Sequence, residues 1–160
     1  MKNDRKNLLL VSVAAAGFLS VAGARMIGSA AGQSAPSHEG PFPTVWSGVY
    51  SKAEADRGRQ AYKQLCSRCH GTDLKGGLTA PGLVGAKFFD RWHDLRLGDV
   101  VAYIQAAMPR EHEFYVPAES ARAIVGLMLQ ESGVPAGSKP MSTDVNVQHN
   151  ILITRQRSAR

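Results

Sequence analysis

The feature that most constrains this chain is the pentapeptide Cys66-Ser67-Arg68-Cys69-His70, because it holds the only two cysteines among 160 residues. Two residues separate the cysteines, and a histidine follows the second one directly. Cysteine and histidine side chains bind metals, form disulfides and attach cofactors, and their spacing discriminates between these chemistries. The rest of the chain must therefore fold in a way that suits the metal, disulfide or cofactor that these residues hold.

The first 31 residues have the pattern of an export signal. A charged lead precedes an apolar run, residues 8–24, that holds no charge and is followed by small residues suited to cleavage. Cleavage is expected after Ala24, Ala31 or Ala35. The alternative is a retained membrane anchor, because the run reaches the lower limit of the roughly 17 to 25 residues that span a bilayer. Either way the remaining chain is expected in the periplasm, where free thiols are uncommon.

Composition divides the chain into four segments. Residues 1–31 are the leader, 32–44 form an extended stretch rich in glycine, proline and serine, 45–137 form one domain, and 138–160 form a basic tail. The net charge of +6 comes from the leader and the tail, so the domain between them is close to neutral. With no phosphate-binding glycine loop and no basic stripe, the sequence indicates no nucleic-acid partner.

Capping signals and apolar periodicity predict three helices. They run from Ser51 to Cys66, from Gly98 or Asp99 to Ala107, and from Pro117 to Gly133. At the start of the first, Ser51 and Glu54 form a capping box, in which each side chain accepts from the other residue's backbone N–H. Residues 71–92 are rich in glycine and apolar side chains, which is typical of a long loop that wraps around something. The tail either adds a short strand at residues 151–154 or stays loose.

Four chemistries use two cysteines at this spacing. A thioredoxin-like pair belongs between a strand and a helix of an α/β unit, which this helical pattern lacks. A structural zinc site needs four ligands, so His93 or His112 would have to complete it. A disulfide leaves the adjacent histidine without a role. Covalent haem uses all three residues: the thiols of Cys66 and Cys69 add to the two vinyl groups, and the imidazole of His70 binds the iron.

Covalent haem of this kind calls for a second axial ligand, and Met108 is the favoured candidate. It directly precedes Pro109 at the predicted end of a helix, where its thioether would be held in place. The other methionines are Met1 and Met26 in the leader, Met128 on the inner face of the third helix, and Met141 in the tail. His93 and His112 are the alternative ligands, whereas His38 and His149 are expected at the surface.

Residues 45–137 resemble a class I c-type cytochrome in four segments that occur in order: RGRQAYKQLCSRCHG, PGLVG, FFDRW and AAMP. They are similar to the small cytochrome domains that accompany periplasmic quinoprotein dehydrogenases. The resemblance implies an all-α fold, with three to four helices and long loops wrapped around one covalently bound haem c. It also implies that Gly58 and Tyr62 of the first helix cross the inner face of the third.

The resemblance further assigns residues around the haem. It implies that the carbonyl of Pro81 binds the second ring nitrogen of His70, which orients the imidazole and makes it more basic. Arg91 and Trp92 would reach the propionates. Leu83 would be a further haem-binding residue. The sequence departs from the pattern at Leu127, where such domains often carry an aromatic residue, and in the charged stretch after Met108.

An iron with histidine on one side and methionine on the other has no open position, so it moves single electrons and performs no bond chemistry itself. We therefore expect a monomeric electron carrier and no enzyme. It would accept electrons from a dehydrogenase and pass them to an oxidase or another cytochrome. Two alternatives stay open. One is the haem subunit of a membrane-tethered dehydrogenase complex, and the other is a haem enzyme or gas sensor with a labile sixth ligand.

Overall fold

A computed structural model describes residues 42–110 and 115–155, and the structural statements below concern those residues. They form a 3-10 helix, Val45–Ser47, and six α-helices: α1 Lys52–Leu65, α2 Ser67–His70, α3 Ala86–Trp92, α4 Leu97–Ala107, α5 Ala118–Glu131 and α6 Val145–His149. Within these ranges there are isolated β-bridges and no strand, so the predicted all-α class is confirmed. None of the helices in the described part is long and apolar enough to cross a membrane.

At the N-terminus of α1, half of the predicted capping box forms. The Ser51 hydroxyl accepts from the backbone N–H of Glu54 at 3.2 Å, as expected. The Glu54 carboxylate, however, accepts from the backbone N–H of Met141 at 2.7 Å and is almost fully buried. A buried N–H needs an acceptor, and a carboxylate is a strong one. Glu54 therefore ties the C-terminal segment to α1, and the reciprocal half of the capping box is not made.

Helices α1 and α5 make the most extensive helix contact of the fold, and Gly58 lies where they cross. A Cβ added at Gly58 would stand 1.9 Å from the carbonyl oxygen of Ala123, so only glycine permits this approach. Tyr62, one turn further along α1, is buried in the core, and its hydroxyl donates to the Gly71 carbonyl at 2.6 Å. The expected crossing of the two helices at Gly58 is confirmed.

The stretch 71–92 was expected to be a loop throughout, and its last seven residues instead form α3. Its N-cap residue is Gly85, which has no side chain to cap the helix, so the local sequence carries no start signal. Phe88, Phe89 and Trp92 are each buried in the core, and Phe88 and Phe89 pack edge to face with ring centroids 5.3 Å apart. Tertiary burial of aromatic side chains explains a helix that local signals miss.

The segment after Gly137 is packed against the domain as far as residue 155. Leu152 exchanges backbone hydrogen bonds with the N-terminal segment, donating to Pro43 at 2.9 Å and accepting from Val45 at 3.0 Å. On its other side, Ile153 donates to Leu95 at 2.9 Å. Ile151 and Ile153 are buried. The packed unit thus extends beyond the expected boundary at residue 137, and residues 138–155 are no loose tail, because these backbone groups bond to two other segments.

Candidate haem-binding site

The cysteines and the histidine of the pentapeptide lie within a single turn of helix. Cys66 separates α1 from α2, its backbone N–H donates to Tyr62 at 2.9 Å, and the N–H of His70 donates to its carbonyl at 3.1 Å. Both thiols are free, with Cys66 half-buried and Cys69 exposed. Burial, assisted by the neighbouring Cys69 thiol, raises the pKa of Cys66 to about 11. The Cys66 thiol is therefore protonated at neutral pH.

The imidazole of His70 is buried and held from one side. Its Nδ1 lies 2.8 Å from the carbonyl oxygen of Pro81. A carbonyl can only accept, so Nδ1 carries the proton and donates. In the neutral imidazole this leaves the lone pair on the other ring nitrogen, Nε2, which is the form in which a histidine binds a metal.

The segment that supplies Pro81 is a tight loop of residues 74–83, which we call the proximal loop. Its two sides are joined by backbone hydrogen bonds from Leu83 to Leu74 at 2.8 Å and from Gly77 to Ala80 at 2.9 Å. Gly76 forms an antiparallel bridge with Pro81, and its N–H donates to the carbonyl of His70 at 2.9 Å. Both sides of the loop are thus bonded to the same histidine.

The methionines of the described chain differ in their surroundings. Met108 is the C-terminal cap of α4, its N–H donates to Ile104 at 3.3 Å, and its side chain is half-buried. Met128 lies in the core, as expected. Met141, which the sequence places in the C-terminal tail, is equally buried there. Among the methionines that the structure describes, Met108 is the one outside the core cluster.

The alternative ligand His93 and the expected surface residue His149 both lie in polar surroundings. His93 is exposed and contacts Asp94, with Nδ1 3.0 Å from the carboxylate. His149 lies 3.4 Å from the carboxylate of Asp99. His38 and His112 fall outside the described residues. Across residues 42–110 and 115–155, no group of three or more His, Cys, Asp and Glu side chains is arranged to hold a metal ion.

Arg91 and Trp92 lie together at the end of α3. Trp92 is buried and packs edge to face on Tyr103 of α4, with ring centroids 5.4 Å apart. The exposed Arg91 guanidinium lies 4.9 Å from the Trp92 ring centroid and 5.1 Å from that of Tyr103. Cation–π contact with both rings favours this position of the guanidinium, which remains exposed to solvent. Leu83 of the proximal loop is half-buried against the core.

Two contacts in this region, made by Tyr103 and by the hydroxyl of Tyr62, were not predicted from the sequence. The ring of Tyr103 lies beside the Arg91 guanidinium, and it could be found only by knowing that Trp92 and Tyr103 are in contact in the fold. The Tyr62 hydroxyl donates to the backbone carbonyl of Gly71, the residue that follows His70. Burial raises the pKa of Tyr62, with smaller contributions from the Cys66 thiol and the Asp73 carboxylate, so its hydroxyl stays protonated and donates throughout the neutral range.

Residues 53–128 match the model of the family described as cytochrome c oxidase, cbb3-type, subunit III. The matched range contains the pentapeptide, Pro81 and Met108. With the all-α fold around that pentapeptide, this match shows that residues 53–128 form a class I c-type cytochrome domain. Binding of haem c and a role in electron transfer follow from membership of that class.

Among solved structures, the chain is similar to the sulfane dehydrogenase SoxCD from Paracoccus pantotrophus, with 17% sequence identity and a TM-score of 0.41. The alignment covers 59% of this chain and 53% of that chain, so this chain spans about half the length of the dehydrogenase chain it matches. No curated protein sequence matches this chain.

Proposed function

We propose that this protein is a periplasmic cytochrome with one covalently attached haem c, which carries single electrons from a dehydrogenase to an oxidase or another cytochrome. The observation that carries the proposal is the 2.8 Å contact between Nδ1 of His70 and the carbonyl oxygen of Pro81. It leaves Nε2 of a buried, oriented imidazole free within one helical turn of two unpaired thiols. This donor set fits haem c, which needs two thiols and one histidine nitrogen.

Each part of the donor set has a defined task in this proposal. Cys66 and Cys69 would form the two thioether bonds, and a single pentapeptide in the sequence supports a single haem. When bound, the haem supplies a one-electron couple. His70 would be the axial ligand on one side, and its bond to Pro81 would make the imidazole a stronger donor. Met108 would be the ligand on the other side.

The choice of Met108 is supported by the placement of the other described methionines. Met128 and Met141 are each 2% exposed and packed in the core, which supports a packing role for both. Thioether ligation favours ferrous iron and raises the reduction potential. Ligation of the iron by both His70 and Met108 would leave no place for substrate or oxygen to bind, which favours an electron carrier over a haem enzyme or gas sensor.

The side chains around the donor set would complete the site. Arg91, held over Trp92 and Tyr103, would neutralise a haem carboxylate. Trp92 and Leu83 would contribute apolar contact. The periplasmic location is supported by the export pattern of residues 1–31 and by the usual placement of c-type cytochromes outside the cytoplasm.

The ferric absorption spectra of three proteins test the proposal: wild type, Met108→Ala, and Met128→Leu as the matched control. The wild type is expected to show the long-wavelength sulfur-to-iron charge-transfer band. Met108→Ala should lose this band while keeping the haem attached, and Met128→Leu should retain it because that side chain only fills the core. A band that persists in Met108→Ala would show that another residue is the ligand.

A further inference from the structure

The C-terminal segment, residues 138–155, lies beyond the range 53–128 that matches the family model, so that match assigns it no role. The segment is nevertheless firmly attached to the domain, because Met141, Ile151 and Ile153 are buried in the core. Ordering a terminal stretch of chain costs conformational entropy, which this burial offsets. The other contacts of the segment show which part of the domain it holds.

Three backbone hydrogen bonds of 2.9 Å join the segment to the connection between α3 and α4. The N–H of Asp94 donates to the carbonyl of Ile153, and the N–H of Ile153 donates to the carbonyl of Leu95. The N–H of Leu97 donates to the carbonyl of Ile151. Asp94 has a φ of +64°, a left-handed conformation that a residue other than glycine keeps only where its surroundings hold it. The segment therefore supports a turn that the local sequence does not favour.

The bond to Leu97 also completes the start of α4. Leu97 is the first residue of this helix, and the first N–H groups of a helix have no partner within it. Arg96, the N-cap residue, has no acceptor in its side chain and so cannot supply one. The carbonyl of Ile151 accepts from Leu97 instead. The C-terminal segment thus caps α4 from outside the helix.

Helix α6, which belongs to the segment, contacts the same turn of α4 through a side chain. A Cβ added at Gly98 would stand 2.5 Å from Cδ2 of the His149 imidazole, so the ring lies directly against this turn. Nε2 of His149 lies 3.4 Å from the carboxylate of Asp99. The other oxygen of that carboxylate accepts from the N–H of Arg96 at 2.9 Å. Backbone and side-chain contacts from the segment therefore meet at the first turn of α4.

The far end of the same helix carries the proposed sixth iron ligand. Helix α4 runs unbroken from Leu97 to Ala107, about 16 Å at about 1.5 Å per residue, and Met108 is its C-cap residue. Hydrogen bonds between successive turns make a helix of this length stiff, so a displacement of its first turn moves its last. The N–H of Met108 donates to Ile104, which belongs to the same helix. That bond fixes Met108 to α4, and the position of α4 fixes Met108 in the fold.

We propose that the C-terminal segment is a positioning element for the sixth iron ligand: residues 149–153 hold the first turn of α4, and α4 holds Met108 at the iron. The inference rests on the proposed ligation by Met108 and adds the residues that maintain it. Ile153 and His149 act through α4, so they are positioning residues.

Titration of the ferric holoprotein with imidazole tests the proposal, because imidazole takes the sixth position only after Met108 has left it. Loss of the long-wavelength band follows the exchange, and the apparent imidazole affinity reports how often Met108 is released. Ile153→Ala shortens a fully buried side chain of the segment and should raise this affinity about tenfold. Ile153→Val keeps most of the side chain and should stay within about twofold of the wild type.

The matched control is Leu129→Ala, which removes as many carbon atoms from an equally buried residue of α5. Leu129 lies one turn after Gly126, whose added Cβ would face the ring of Tyr50. Urea unfolding should show a comparable loss of stability in both alanine variants. The control should change the imidazole affinity by less than about twofold, because release of Met108 is a local opening and not global unfolding. Equal affinities in Ile153→Ala and Leu129→Ala would overturn the proposal.

A second pair of variants leaves the core intact. His149→Ala removes the exposed ring that contacts the first turn of α4, and it should raise the imidazole affinity about two- to threefold. Asn146→Ala, at another exposed residue of α6, should leave the affinity unchanged. If Ile153→Ala attaches too little haem for a titration, this pair decides, and equal affinities in its two members would overturn the proposal.

The outcomes separate positioning from the underlying function. A wild-type ferric protein without the long-wavelength band would refute ligation by Met108, on which the inference rests. A wild type that shows the band, together with equal imidazole affinities in each variant and its control, would leave ligation standing and refute positioning by the C-terminal segment.

Discussion

The two proposed axial ligands lie in regions that are built differently. His70 is fixed by three hydrogen bonds at 2.8 to 3.1 Å, which join its N–H, its carbonyl and its ring to Cys66, Gly76 and Pro81. Met108 caps the end of α4 with one backbone bond of 3.3 Å, and its side chain is half-buried. The histidine side is therefore organised by the fold itself. The methionine side has fewer contacts to hold it, so its substitution should change the chemistry of the iron without releasing the haem.

The largest effect is expected on the histidine side. Cys69→Ala should lower covalently attached haem by about tenfold, because one of the two thioether bonds and its maturation step are lost. Haem staining on a denaturing gel measures this directly. The control is Ser67→Ala within the same pentapeptide, which removes only a hydrogen bond of 2.7 Å to the Lys63 carbonyl and should attach haem normally. Full attachment in Cys69→Ala would contradict the proposed bonding.

On the methionine side, Met108→Ala should keep the haem attached and lower the reduction potential. A fall on the order of 0.1 to 0.3 V is expected, within the range of about 0.8 V that axial ligands span. Redox titration of the purified protein gives the value. Met128→Leu, a conservative change in the core, should shift the potential little. Equal reduction potentials in the wild type and Met108→Ala would contradict the proposed role of the methionine side as an iron ligand.

Helix α1 ends directly before the pentapeptide, and a substitution at its crossing with α5 should destabilise the fold. Gly58→Ala would place a Cβ 1.9 Å from the Ala123 carbonyl and should lower the free energy of unfolding by about 2 to 4 kcal/mol. Gly126→Ala is the control, because its Cβ would stand 3.4 Å from the ring of Tyr50 and should cost less than about 1 kcal/mol. Urea unfolding measures both, and equal stabilities would contradict the close crossing.

A smaller effect is expected where α1 meets the C-terminal segment. Glu54→Gln replaces a charged acceptor of the Met141 N–H with a neutral one and should lower the free energy of unfolding by about 1 to 2 kcal/mol. Glu119→Gln, at an exposed acid of α5, should change it by less than about 0.5 kcal/mol. Thermal unfolding distinguishes them. A reduction potential that moved with Glu54→Gln would show that this contact also supports the haem site.

Local signals in the sequence predicted the parts of the fold that depend on neighbouring residues. The serine before α1, the proline before α5 and Gly133 after it, which adopts a φ of +83°, mark helix ends by their own chemistry. The pentapeptide is likewise local, because one turn of helix brings its three functional residues together. These features needed no knowledge of tertiary contacts.

The features that the sequence did not reveal depend on residues far apart in the chain. Glu54 fits a capping box by spacing, yet its carboxylate bonds to Met141, which is 87 residues away. The three consecutive apolar residues Ile151, Leu152 and Ile153 form too short a run to predict that they bond to two other segments. The contact of Arg91 with Tyr103 similarly joins residues of two different helices, and α3 itself has no capping signal.

The most direct test of a haem iron with both axial positions filled is the absorption spectrum of the reduced wild-type protein before and after addition of carbon monoxide. We predict no change, because His70 and Met108 would leave no position for the gas. Rapid conversion to a carbon monoxide complex would contradict ligation by Met108 and would support a haem enzyme or gas sensor instead.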